Sequence, residues 1–130
     1  MKKLSKIRAL KYAAQGGRCF YCRQPMWHGN QAGFVEKFGL PCHKAHYLKV
    51  TAEHLLARCE GGGDTPENIV AACWFCNTHR HHSKRPLAPD DYARKVRSRL
   101  SRGRWHGLIL AAGGDLAKPA LPVTPAKVGA

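Results

Sequence analysis

Lys49-Val50-Thr51-Ala52-Glu53-His54-Leu55-Leu56, Glu60-Gly61-Gly62-Gly63-Asp64-Thr65-Pro66 and Ile69-Val70-Ala71-Ala72-Cys73-Trp74-Phe75-Cys76-Asn77 follow one another in the stretch that decides the fold. The first run is β-prone, the glycine-rich run is a turn signal, and Ile69-Val70-Ala71 reads as a second short strand ending at the knuckle that Cys73 opens. The polar run from Asn77 to Lys84 suits a helix, stopped ahead of Pro86 because the residue before a proline is biased out of the helical region. Strand 49–56, glycine-rich loop, strand 69–71 and helix 76–84 are therefore expected in that order.

Outward from this stretch, Cys73-x2-Cys76 has an upstream counterpart in Cys19-Phe20-Tyr21-Cys22, and two such pairs make up a tetrahedral four-cysteine zinc site. The span between them, Arg23 to Ala72, exceeds the roughly 15–20 residues of a plain zinc ribbon, so the ion would close a loop that holds other structure. A redox pair is the rival reading. It expects one pair at the start of a helix in a thioredoxin-like setting, whereas Gly16-Gly17-Arg18 before Cys19 looks like a knuckle turn. Cys42 and Cys59 stand apart in spacing and read as small buried hydrophobes, although Cys42-His43-x2-His46 is a lesser candidate for a second metal cluster.

Leu4, Ile7, Leu10 and Ala14 recur at helical spacing among basic residues, which predicts a short basic helix over 4–14, stopped by Gly16-Gly17. Residues 24–49 read as a loop-rich insertion with a short helix around Phe34–Phe38. A second basic helix is expected over 90–102, opened by Asp90-Asp91 and carrying Tyr92, Val96 and Leu100 on one face. A domain over 1–106 is then followed by a Gly-, Ala- and Pro-rich tail, 107–130, expected to be disordered.

The 130 residues carry 22 Lys+Arg against 8 Asp+Glu, a net charge of +14, which excludes an acidic chaperone-like or neutral metabolic profile. Leu, Ile, Val and Phe make up about 19% of the chain, under the roughly 20% at which a highly charged chain is expected to stay disordered. Something besides apolar burial is needed, and a structural metal is a common device in small domains. Lys11 interrupts the basic N-terminus before any signal-peptide-like apolar run, and nowhere do about 18 apolar residues run together. A cytoplasmic location is expected, where clustered cysteines serve as metal ligands more often than as disulfides.

Taken together, Cys19-x2-Cys22, Glu53-His54, Gly61-Gly62, Asn68, Cys73-x2-Cys76-Asn77 and His81 resemble the HNH endonuclease family over about residues 16–85. The resemblance implies a small α+β fold: a ββα-metal motif with structural zinc knuckles beside it, flanked here by basic helices. It implies His54 as general base, Asn68 as a residue that hydrogen-bonds and orients it, and a catalytic divalent ion held by Glu53, Asn77 and His81. Asn77 and His81 are four apart, so on a helix they share a face. His79, two residues from Asn77, faces elsewhere and is the lesser alternative. Oxygen ligands with one imidazole suit Mg²⁺ or Mn²⁺ and would admit Ni²⁺ or Zn²⁺. Two positions depart from the family pattern. Glu53 stands where Asp is most frequent and is one methylene longer; Asn77 stands where His is frequent.

Lys2, Lys3, Lys6, Arg8, Lys11, Arg18 and Arg23 form one basic block; Arg80, Lys84, Arg85, Arg94, Lys95, Arg97, Arg99, Arg102 and Arg104 form a second. Blocks of this kind suit the phosphate backbone of DNA, which gives affinity without sequence information, and the small Ala-rich apolar faces speak against a membrane. The expectation is a metal-dependent DNA endonuclease of low sequence specificity, or one that nicks, leaving 5′-phosphate and 3′-hydroxyl ends by family resemblance. A non-catalytic zinc-knuckle nucleic-acid-binding protein is the alternative. Pairing of two chains to cut both strands stays open.

Overall fold

Val50 to His54 and Ile69 to Cys73 form strands β1 and β2, paired antiparallel with Val50 opposite Cys73 and His54 opposite Ile69. The computed structural model describes residues 2–110 of the chain. β2 is buried along its whole length, and its Ala71 and Ala72 let neighbouring backbone approach closely: Phe20 N–H donates to Ala71 O at 3.0 Å. Helix α4 (Trp74–His81) starts directly where β2 ends. Cys73 is its N-cap, its Sγ accepting from Cys76 N–H at 3.4 Å, so one residue closes the knuckle and starts the helix.

Helix α1 (Lys3–Ala14) packs across the hairpin, and Gln15, which caps it, bonds both ways with Ala71: Nε2 to Ala71 O and Ala71 N–H to Oε1, each 2.9 Å. This side chain occupies the outer edge of β2 as a further strand would. Gly16 and Gly17, at φ 66° and 75°, then turn the chain into Cys19. Helix α2 (Gln31–Phe38) is capped by Asn30, whose side chain accepts from Gly33 N–H. Helix α5 (Pro89–Ser101) buries Tyr92, Val96 and Leu100 as the periodicity predicts, and Tyr92 Oη donates to Cys76 O at 2.6 Å, anchoring the helix on the knuckle. No helix among the described residues is long and apolar enough to cross a membrane.

The architecture is the small α+β arrangement expected, with corrections in detail. A further helix, α3 (Cys42–His46), lies in the insertion, where Pro41 and the lack of apolar periodicity hid it. Cys42 and Cys59 are both exposed rather than buried. Arg80, counted with the surface charge, is buried. Of the tail expected from 107, Leu108 is buried and Leu110 N–H donates to Gln24 Oε1 at 2.6 Å; residues 111–130 lie outside the described residues.

Candidate active site

Glu53 is buried, and both of its carboxylate oxygens have polar partners. Its Oε2 accepts from Tyr21 Oη at 2.8 Å and from Arg80 Nη1 at 2.9 Å; its Oε1 lies 2.8 Å from His81 Nε2. Arg80 also reaches His54 O, Leu55 O and Leu87 O, so both ions of the buried pair are fully hydrogen-bonded, the condition under which such a pair is tolerated. Burial and the Glu53 charge push the Tyr21 phenol well above its ordinary pKa, so it stays a donor. With Oε2 occupied, the atom Glu53 can present is Oε1, facing the partly exposed His81 ring. Two ligands at right angles and about 2.1 Å from one ion lie about 3 Å apart, close to this separation, so the pair fits two adjacent corners of a divalent-ion site.

His81 and His79 part company here. His79 Nδ1 bonds Phe75 O, and its ring stacks on Phe75 at 3.9 Å between centroids, away from Glu53. Asn77 lies one turn before His81, with Nδ2 donating to Thr51 Oγ1 at 3.0 Å and Ala52 O at 3.2 Å; no hydrogen bond joins it to Glu53 or His81. Those two acceptors fix its amide orientation, leaving Oδ1 as the atom it can offer a cation.

His54 faces a partner absent from the sequence reading. Its Nε2 lies 2.7 Å from Asp64 Oδ1, and Arg58 approaches the same nitrogen at 3.2 Å while pairing with both Asp64 oxygens at 3.1 Å. An ionised carboxylate only accepts, so the shorter contact assigns the proton to Nε2 and leaves the Nδ1 lone pair available. The hydrogen bond from His54, joined by the Arg58 charge, holds the Asp64 carboxyl below its usual pKa. Asn68 does not bond His54. Its side chain ties Leu56 N–H, Leu56 O and Gly63 O at 2.8–3.0 Å, fixing the loop that carries Asp64. Gly62 is required in that loop, because a Cβ there would sit 1.7 Å from Leu56 O.

Cys19, Cys22, Cys73 and Cys76 come together at the base of the hairpin, all four sulfurs within 4.8 Å of one another and fully buried. The Cys22–Cys73 separation of 3.9 Å matches the edge of about 3.8 Å for a tetrahedron of thiolates 2.3 Å from zinc. Burial raises all four thiols, but hydrogen bonds from the other sulfurs and from Cys73 N–H pull Cys19 well below its ordinary value. Donors aimed at sulfur complete the site: Tyr21 N–H and Cys73 N–H to Cys19, Trp105 Nε1 to Cys76 at 3.3 Å, and His106 Nε2 to Cys22 at 3.5 Å. His106 Nδ1 accepts from Leu108 N–H, which puts the ring proton on Nε2, and burial lowers its pKa to about 4, so it donates as a neutral ring. Among the described residues Cys42, His43 and His46 belong to no group of three or more Cys, His, Asp or Glu placed to share an ion, which removes the Cys42-His43-x2-His46 candidate.

The chain thus runs β1, glycine-rich loop, β2, α4, with a carboxylate and a histidine at the end of β1. Residues 39–83 match the family model for HNH endonuclease. Comparisons with curated proteins and with solved structures gave no match. The HNH segment, about a third of the chain, holds Glu53, His54, Asn68, Asn77 and His81 together with the second knuckle. Cys19, Cys22, Tyr21 and the residues from Lys84 onward lie outside it, although Tyr21 bonds Glu53 and Trp105 and His106 bond the sulfurs. A Tyr inside a C-x2-C pair and an isolated Trp-His gave no sequence signal of these roles.

Proposed function

We propose that the protein is a divalent-metal-dependent HNH endonuclease that hydrolyses DNA phosphodiester bonds with low sequence specificity or by nicking, and that the four cysteines hold a structural zinc. One observation carries the reading. Adjacent residues at the end of β1 take up two separate tasks, Glu53 offering one oxygen beside His81 and His54 held through Nε2 by Asp64. Glu53, His81 and Asn77 would hold the catalytic ion, Mg²⁺ or Mn²⁺ suiting this donor set. Such an ion supplies positive charge to the phosphate and to the leaving oxygen.

The chain's own groups do the rest. His54 Nδ1 takes a proton from the attacking water as its oxygen bonds phosphorus; the bond to the 3′ oxygen breaks, and that oxygen gains a proton from solvent, leaving a 5′ phosphate and a 3′ hydroxyl. Asp64 keeps the imidazole in the required tautomer and steadies the imidazolium that forms. Arg80 and Tyr21 hold Glu53 in its orientation. Supercoiled plasmid incubated with zinc-loaded protein and Mg²⁺ or Mn²⁺ is expected to convert to the open circle. Intact plasmid under every ion, with DNA still retarded in a gel, would favour the non-catalytic zinc-knuckle binder.

A further inference from the structure

A groove of about 410 Å³ runs between α1 and β1, lined by Leu4, Arg8, His46, Lys49, Thr51 and Trp74 among others, with no acidic side chain in its walls. Its floor is tied to the candidate metal ligands. Thr51 Oγ1 and Ala52 O, both in the floor, are the two acceptors of Asn77 Nδ2, and Glu53 is the next residue along β1. Trp74, half-buried, packs its ring 4.6 Å from His46 and stacks with Tyr47 at an interplanar angle of 9°. Arg8, on α1 and also in the lining, has its Nε buried without an acceptor, and its Nη2 lies 3.3 Å from His28 Nε2. Lys49, also in the lining, is exposed, its Nζ 6.0 Å from the centroid of the Trp27 ring.

A supported aromatic ring in a groove that also holds two cations and no acid recognises a nucleobase with its phosphates, because every base has a face to stack and the cations meet the backbone. A fully paired base keeps both faces in its own stack and cannot enter. We propose that this groove takes one unpaired base next to the scissile phosphate, stacked on Trp74 with its phosphates against Arg8 and Lys49, so that the protein selects bulged or gapped DNA over paired duplex. The proposal rests on the nuclease reading above and adds to it the structural class of substrate.

Fluorescence anisotropy with full-length, zinc-loaded protein and no Mg²⁺ or Mn²⁺ tests it on three labelled duplexes: fully paired, carrying one extra unpaired thymidine, and carrying an abasic unit in its place. The thymidine bulge is expected to bind about 5- to 100-fold tighter than the other two, which should be alike. Trp74→Ala should erase the preference and leave paired-duplex affinity within about twofold, and Trp74→Phe should keep most of it. Because Trp74 opens α4, a loss of bound zinc in the alanine variant would leave the abasic comparison on wild type to decide. Equal affinity for all three DNAs, or a bulge preference that survives removal of the base, overturns the proposal. Plasmid cleavage without any bulge preference would sink the groove alone; a base-dependent preference without cleavage under Mg²⁺ or Mn²⁺ would sink the nuclease reading and keep the groove.

Discussion

Glu53 has the length its neighbours require. From β1 it spans to Tyr21 in the first knuckle and to Arg80 and His81 on α4, so the extra methylene over aspartate serves three partners. Glu53→Gln keeps the shape but leaves Arg80 as a buried, uncompensated charge, and chemical denaturation of the zinc-loaded variant should show a loss of about 3–5 kcal/mol. A loss under about 1 kcal/mol would mean that Arg80 finds water once its partner is neutral. Asp64 acts one step further from the chemistry. Asp64→Asn removes the carboxylate that fixes the His54 tautomer, and the nicking rate should drop about 10- to 100-fold with DNA affinity unchanged. The pair also sets a limit in pH: since Asp64 is held below its usual pKa by the bond from His54, the contact is present above the ordinary carboxylate range and lost only as pH falls through the lowered value. That His81 rather than His79 lies beside Glu53 was legible from helical phase, while His54 was singled out by the family resemblance. Asp64, Tyr21 and Arg80 were not, since a loop aspartate, a knuckle tyrosine and an arginine in a basic run each have a commoner surface or turn explanation.

At the level of elements, the β1–β2 hairpin with α4 followed from composition and punctuation, and the glycine-rich loop from a turn signal whose steric need is visible at Gly62. α3 could not be read, being five residues long with no apolar face. The domain was expected to end at His106 with a Gly-, Ala- and Pro-rich tail from 107, yet Trp105–Leu110 closes over the cysteine site: two ring nitrogens donate to sulfur and Leu108 is buried. Its link to the knuckles is long-range in sequence, which no local pattern reports. His106→Ala should weaken zinc retention about 10- to 100-fold in competition with a chelator, the usual cost of removing an outer hydrogen bond to a ligand. Cys73→Ser should lose the ion and fold poorly, because metal binding supplies folding free energy and Cys73 also caps α4.

The whole molecule reconciles a thin apolar composition with a packed core. Four cysteines sit in the same cluster as Tyr21, Val70, Tyr92 and Val96, so the metal site stands where a larger domain would place aliphatic side chains. Most of the +14 charge then remains for solvent and partners; Arg23 and Arg80 are buried, and Arg80 turns inward to Glu53. If about six phosphates are neutralised, affinity for paired DNA should fall by about a thousand-fold between ~50 and ~200 mM salt. A salt-independent affinity would argue against backbone contacts. Cutting is the claim on which the rest depends, and the rate of open-circle formation from supercoiled plasmid, wild type against His54→Ala at equal zinc content and equal DNA affinity, measures it directly. A loss of about 10²- to 10⁴-fold is expected in the variant. Equal rates in the two proteins, or no cleavage by either while both bind DNA, would contradict it.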